Sequence, residues 1–114
     1  MKYINYGEIL QHKLVCLFPD SDARNSIQQE LARYGLEEYE REVDRVRLAI
    51  LKVAGVSPAQ VREWVEIAKR DYRDVLAAAE YPNQLTNPTW QMTPTERQAL
   101  SAEDLRQYLD WLEA

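Results

Sequence analysis

Residues 56–82 read VSPAQVREWVEIAKRDYRDVLAAAEYP, and this stretch decides the fold class. Ser57 is placed to cap a helix, Pro58 suits its first position, and Gln60 can complete a capping box. Val56 and Val61 occupy the two positions of a hydrophobic staple. Val61, Trp64, Val65, Ala68, Tyr72, Val75, Leu76 and Ala79 then recur on one face at a period of 3.6 residues, without a gap. Arg62, Glu63, Glu66, Lys69, Arg70, Arg73 and Asp74 fall mostly elsewhere. Pro82 ends the pattern, because a proline disfavours helix in the residue before it. One amphipathic helix from Ser57 to about Tyr81 is expected, with Trp64 inward and Glu63 outward.

Working outward, a second helix is expected from about Glu37 to Ala54. Its stripe is Tyr39, Val43, Val46, Ile50 and Val53. Leu48, Ala49 and Leu51 make its end apolar almost all round, the mark of a central helix. Gly55 suits the left-handed position after it, with Leu51 and Val56 able to make the accompanying contact. Gly35 repeats that signal after a shorter helix from about Asp22. There Ala23, Ile27, Leu31 and Tyr34 point inward, and Leu31 can meet Leu36. Pro19-Asp20-Ser21-Asp22 forms the turn before it.

The flanks carry weaker signals. Tyr3, Tyr6, Leu10, Leu14 and Leu17 keep a helical period. Lys13 to Phe18 also suits a strand, but no second strand is visible to pair with it, so helix is preferred. Tyr81 to Thr93 reads as loop, punctuated by Pro82, Asn83, Asn87 and Pro88. Thr93-Pro94-Thr95-Glu96 is a capping box with proline at the first position. A last helix is expected from Ser101, with Leu100 and Leu105 as a staple, a stripe of Leu105, Tyr108, Leu109 and Leu112, and Trp111 beside it.

The expected architecture is all-α: one domain over residues 1–114, a three-helix core over about 20–82, an N-terminal helix, and a C-terminal helical arm over about 93–114. The chain has 114 residues, 46% hydrophobic and 29% charged, a globular rather than disordered balance. Only three glycines argue against a turn-rich β fold. The net charge is −5 and basic residues are interleaved with acidic ones, so nucleic acid is not an expected partner. Cys16 is the single cysteine and cannot form an internal disulfide. The apolar run Leu14 to Phe18 is too short for a signal-peptide core or a membrane span. No membrane partner is expected, and the expected location is cytoplasmic.

The segments Arg45–Lys52 (RVRLAILK) and Ala68–Pro82 (AKRDYRDVLAAAEYP) resemble a family of small uncharacterised bacterial helical proteins, over the segment from Tyr39 to Pro82. The resemblance implies a bacterial, intracellular, helical protein. It brings no activity, ligand or partner.

Few constellations suit chemistry. His12 and Cys16 stand one turn apart, but zinc wants three or four such ligands. Glu63, Glu66, Asp71 and Asp74 lack the histidines of a di-iron bundle, and three of them lie off the apolar stripe. No metal, cofactor or catalytic residue is therefore expected. Cys16, beside Leu14, Val15 and Leu17, reads as a small packed hydrophobe rather than a nucleophile. The run from Glu37 to Arg45 reads as a solvated face with local ion pairs.

The candidate binding residues are Asp71, Tyr72, Asp74, Tyr81, Trp90 and Trp111. Asp71 and Asp74 can flank Tyr72 as a polar contact site. The plainer reading is an ion-paired rim, Lys69 or Arg70 with Asp74 and Asp71 with an arginine of a neighbouring helix. Tyr81, Trp90 and Met92 in the loop either form a binding surface or tuck onto the helices. The leading functional class is a non-enzymatic interaction or structural module, with a protein partner or a second copy of itself. The alternative is a small enzyme or ligand-binding protein using Asp71, Tyr72 and Asp74. A twofold dimer with the arm in or near its interface is expected, Trp111 widening the arm's apolar surface.

Overall fold

The computed structural model describes residues 4–114, and these are all-helical. Tyr3, expected on the first helix, lies outside the described residues. The α-helices are α1 (Tyr6–Leu17), α2 (Ser21–Leu31), α3 (Val43–Ala54), α4 (Pro58–Arg70), α5 (Tyr72–Glu80), α6 (Pro82–Thr86) and α7 (Pro94–Glu113). A 3-10 turn, Thr89–Gln91, lies between α6 and α7. Five helix starts carry a side-chain cap of the usual chemistry: Asn5, Asp20, Ser57, Asp71 and Thr93 each accept a backbone N–H. At Thr93 the capping box with Glu96 is complete.

Helix α3 is the axle. It packs against α1, α4 and α5, and Val46, Leu48, Ala49, Ile50 and Leu51 are all buried. Helix α2 lies against α4, and α7 lies on α5 and α6. Ile27, Leu31, Tyr34, Val61, Val65, Val75 and Ala79 complete the same core.

Several expectations need correction. The helix from Ser57 to Tyr81 is two helices. Asp71 adopts an extended backbone, ends α4, and accepts the N–H of Arg73 to cap α5. A one-residue break leaves the apolar period in place, so the stripe reads through it. Trp64 is only partly buried. Helix α3 starts at Val43, not Glu37, because Glu40 gathers the preceding loop around itself. Its carboxylate is buried and accepts the N–H groups of Gly35 and Glu37, at 2.9 and 3.0 Å, and the Lys69 ammonium at 3.1 Å. Residues 37–42 are therefore a clasped loop, not a solvated helix face, and Tyr39 is exposed.

Both glycine stops occur, without their apolar contacts. Gly35 has φ 109°, and a Cβ there would stand 2.8 Å from Val43 Cγ1, so only glycine fits. Arg47 donates to the Tyr34 carbonyl at 2.7 and 3.0 Å, doing what the Leu31–Leu36 contact was expected to do. Leu36 is 72% exposed, and Val56 is also exposed, so neither the cap contacts nor the Val56–Val61 staple forms. Ala23 faces solvent.

At the C-terminal end, α7 runs unbroken from Pro94, and Ser101 is internal. The expected loop from Tyr81 to Thr93 contains α6 and the 3-10 turn. The N-terminal half of α7 buries no side chain, and the molecule measures 48 × 29 × 25 Å. Its radius of gyration, 14.9 Å, exceeds the ~13 Å of a compact chain this long. A projecting hairpin of α6 and α7 fits this elongation.

Candidate interaction surface

The arm docks through its own C-terminal half. Asp104, Tyr108 and Leu112 are buried, and Trp111 packs beside them with its ring 6.0 Å from that of Tyr108. Lys13 of α1 lies 4.5 Å from the Trp111 ring centroid and donates to the Ala114 carbonyl at 3.0 Å. Burial lowers the Lys13 ammonium from its ordinary value, and the ring face and carbonyl receive it. Trp111 is thus a docking residue of its own chain. It does not supply the surplus apolar surface expected of it.

Asp104 is the hinge of the arrangement. Only 1% exposed, it accepts the backbone N–H groups of Asn83 and Gln84, both at 3.1 Å, and the Gln84 side-chain amide at 3.3 Å. It therefore caps α6 from the facing helix. Lys52 of α3 donates to the Ala79 carbonyl at 2.7 Å, closing the end of α5, with its ammonium 5.7 Å from the Tyr108 ring centroid.

These contacts turn the expected stripe of α7. Leu105 and Leu109 are 58% and 36% exposed instead of inward. With Tyr81, also exposed, they line a hollow of about 320 Å3 between α7 and the junction of α5 and α6. Tyr6, Tyr108, Arg45 and Glu80 line it too. Arg45 donates two hydrogen bonds to the Glu80 carboxylate, at 2.7 and 2.6 Å, and a third to Glu42 at 3.2 Å. Those bonds fix the orientation of the planar guanidinium against the hollow. Burial pushes the phenols of Tyr6 and Tyr108 up, so both stay protonated. The Tyr108 hydroxyl is sealed from solvent with no hydrogen-bond partner among the described residues.

A second hollow, of about 340 Å3, lies where α4 meets α5 and is lined by Tyr34, Tyr39, Glu40, Lys69, Asp71 and Tyr72. Most of its charged groups are already engaged, Arg70 excepted. Glu40 holds the loop and Lys69, and Asp71 pairs with Arg73 two residues on, at 2.9 Å. The expected partners differ: Asp71 does not reach a neighbouring helix, and Lys69 goes to Glu40 rather than Asp74. Burial pushes the Glu40 carboxyl up, but the Glu37 and Gly35 N–H groups and Lys69 outweigh it and hold it below its ordinary value. The Arg73 hydrogen bonds hold Asp71 down as well.

The six candidate residues are thus dispersed. Asp71 and Tyr72 share the second hollow, Asp74 is exposed apart from it, Tyr81 lines the first, and Trp111 faces Lys13. Trp90 does not tuck in. It is 79% exposed in the turn at the head of the α6–α7 hairpin. Sequence reasoning missed Tyr6, Arg45, Glu80 and Asp104, which meet only through the fold. Cys16 is exposed, not packed, with Sγ 3.4 Å from His12 Nε2. Among the described residues no three His, Cys, Asp or Glu side chains group as metal ligands would. Among them also, no helix is long and apolar enough to cross a membrane.

No family model, curated protein or solved structure matches this chain.

Proposed function

We propose that the protein is a non-enzymatic interaction module that pairs with a second copy of itself through the α6–α7 hairpin. One observation carries this reading: a single hairpin exposes Leu105, Leu109 and Tyr81 around a hollow and Trp90 at its head. Apolar side chains gathered in this way mark association surfaces, whereas singly scattered ones do not. A second copy is favoured over an unlike partner because the chain bears both a projecting aromatic and a recess, and twofold pairing uses each twice. The bacterial, cytoplasmic setting belongs to the same proposal. It is supported by the resemblance over Tyr39 to Pro82 and by a lone, exposed cysteine. Nucleic acid and membrane surfaces are disfavoured as partners by the net charge of −5.

Light scattering on the full chain tests the proposal. Twice the 13.4 kDa chain mass at tens of micromolar supports it. A monomer there overturns it.

A ligand-binding role at Asp71, Tyr72 and Asp74 has one observation in its favour, the hollow beside Tyr72. Glu40, Lys69 and Asp71 are already bonded within the chain, so of the charged groups lining the hollow Arg70 remains to grip a ligand. That weighs for a structural clasp.

A further inference from the structure

We infer that Trp90 of one copy fills the hollow between Tyr81 and Leu109 of the other. This rests on the self-pairing proposed above and names the contact that makes it specific. At about 320 Å3 the hollow is at the small end of ligand pockets, which run from about 300 to 1,000 Å3, and suits one large side chain. Its walls select an aromatic one. Tyr6, Tyr81 and Tyr108 supply ring surface, and Leu105 and Leu109 an apolar rim. Arg45, fixed by Glu80, presents a guanidinium that an indole face attracts. The Glu80 carboxylate keeps lone pairs for the single indole N–H.

Among the described residues Trp90 is the most exposed of the large apolar side chains, and its backbone is set in advance. The Gln91 N–H donates to the Pro88 carbonyl at 3.0 Å, and Met92 N–H to the Thr89 carbonyl at 3.1 Å. Arg97 of α7 donates to the Met92 carbonyl at 2.6 Å and braces the turn. A knob ordered before contact loses little entropy on docking. It does not line the hollow of its own copy.

The test is sedimentation equilibrium on full chains. Trp90→Ala and Leu109→Glu change exposed positions, and circular dichroism melting confirms that each folds. Each is expected to weaken the dimer at least about thirty-fold, as the loss of a hot-spot residue does. Trp90→Phe is expected to retain most of the affinity. The two defective chains are then mixed. One keeps the hollow and the other keeps the tryptophan, so their heterodimer regains one of two contacts and is expected to be tighter than either variant alone. If Trp90→Ala dimerises like the parent, or the mixture is no tighter than its parts, the inference fails while the dimer stands. A monomeric parent chain ends both.

Discussion

Helix α3 and helix α7 are built from opposite solutions. In α3, five of the six residues from Val46 to Leu51 are buried, and neighbours stand on several sides. Helix α7 is longer by eight residues (20 against 12), yet buries only Asp104, Tyr108 and Leu112, one of them a carboxylate. The first owes its place to apolar area removed from water. The second owes its place to a few directed contacts: Asp104 on the α6 amides, and Lys13 on Trp111 and the Ala114 carbonyl. A helix docked by a narrow seam has faces left over, and on α7 the leftover face is apolar at Leu105 and Leu109. Burial made α3 a structural element; its absence leaves α7 free to be a contact element.

The largest effect that sharpens this contrast is Ile50→Ala. A cavity at the centre of α3 is expected to cost about 2–5 kcal/mol in urea unfolding. A loss below about 1 kcal/mol would mean that α3 is not the axle.

Asp104→Ala comes next. It leaves three donors around α6 without their acceptor, at an expected cost of about 1–3 kcal/mol. Hydrogen exchange is expected to accelerate in α6 and α7 while α3 amides stay protected. Equal acceleration in α3 would erase the distinction between arm and core.

Glu40→Gln reads the same contrast through pH. The folded carboxyl lies below its ordinary value of 4.5, so its contribution is fully present above that value. That contribution is lost as pH falls through the lower folded value. The melting temperature of the parent chain is expected to fall over that acid range, and that of the Glu40→Gln variant to fall less. Parallel curves would remove Glu40 as the charged clasp of the loop before α3.

The smallest effects belong to the arm's exposed face and its sealed phenol. Leu105→Ala is expected to change unfolding of dilute protein by no more than about 0.5 kcal/mol. Tyr108→Phe removes a hydroxyl that bonds to nothing among the described residues and is expected to be close to neutral. A large loss at Leu105 would place it in the core after all.

The fold class was legible because caps and periods agreed along the chain. Ser57-Pro58 and Thr93-Pro94 mark helix starts by backbone chemistry, which is local. Gly35 and Gly55 mark turns for the same reason. What failed depended on groups far apart in sequence. Nothing near Glu40 says that Lys69 will reach it, so a buried clasp looks like a solvated acidic run. Nothing near Asp104 says that α6 will need its carboxylate. Taking Leu105 for the inward face was therefore natural, since the apolar residue ordinarily wins over the acid beside it. Asp71 did carry a local signal: aspartate is a better cap than helix interior. The candidate site was half legible. Tyr81 and Trp90 were visible as loop aromatics, whereas Arg45 and Glu80, 35 residues apart, meet only in the folded chain.

The most direct test of self-pairing through the hairpin is sedimentation equilibrium of the full chain beside the Leu105→Glu, Leu109→Glu double variant. Both substitutions fall on exposed positions, so the two chains are expected to fold alike while differing in mass. The parent is expected at twice 13.4 kDa at tens of micromolar and the variant at 13.4 kDa. A parent chain that stays at 13.4 kDa, or a variant that still pairs as tightly as the parent, contradicts the claim.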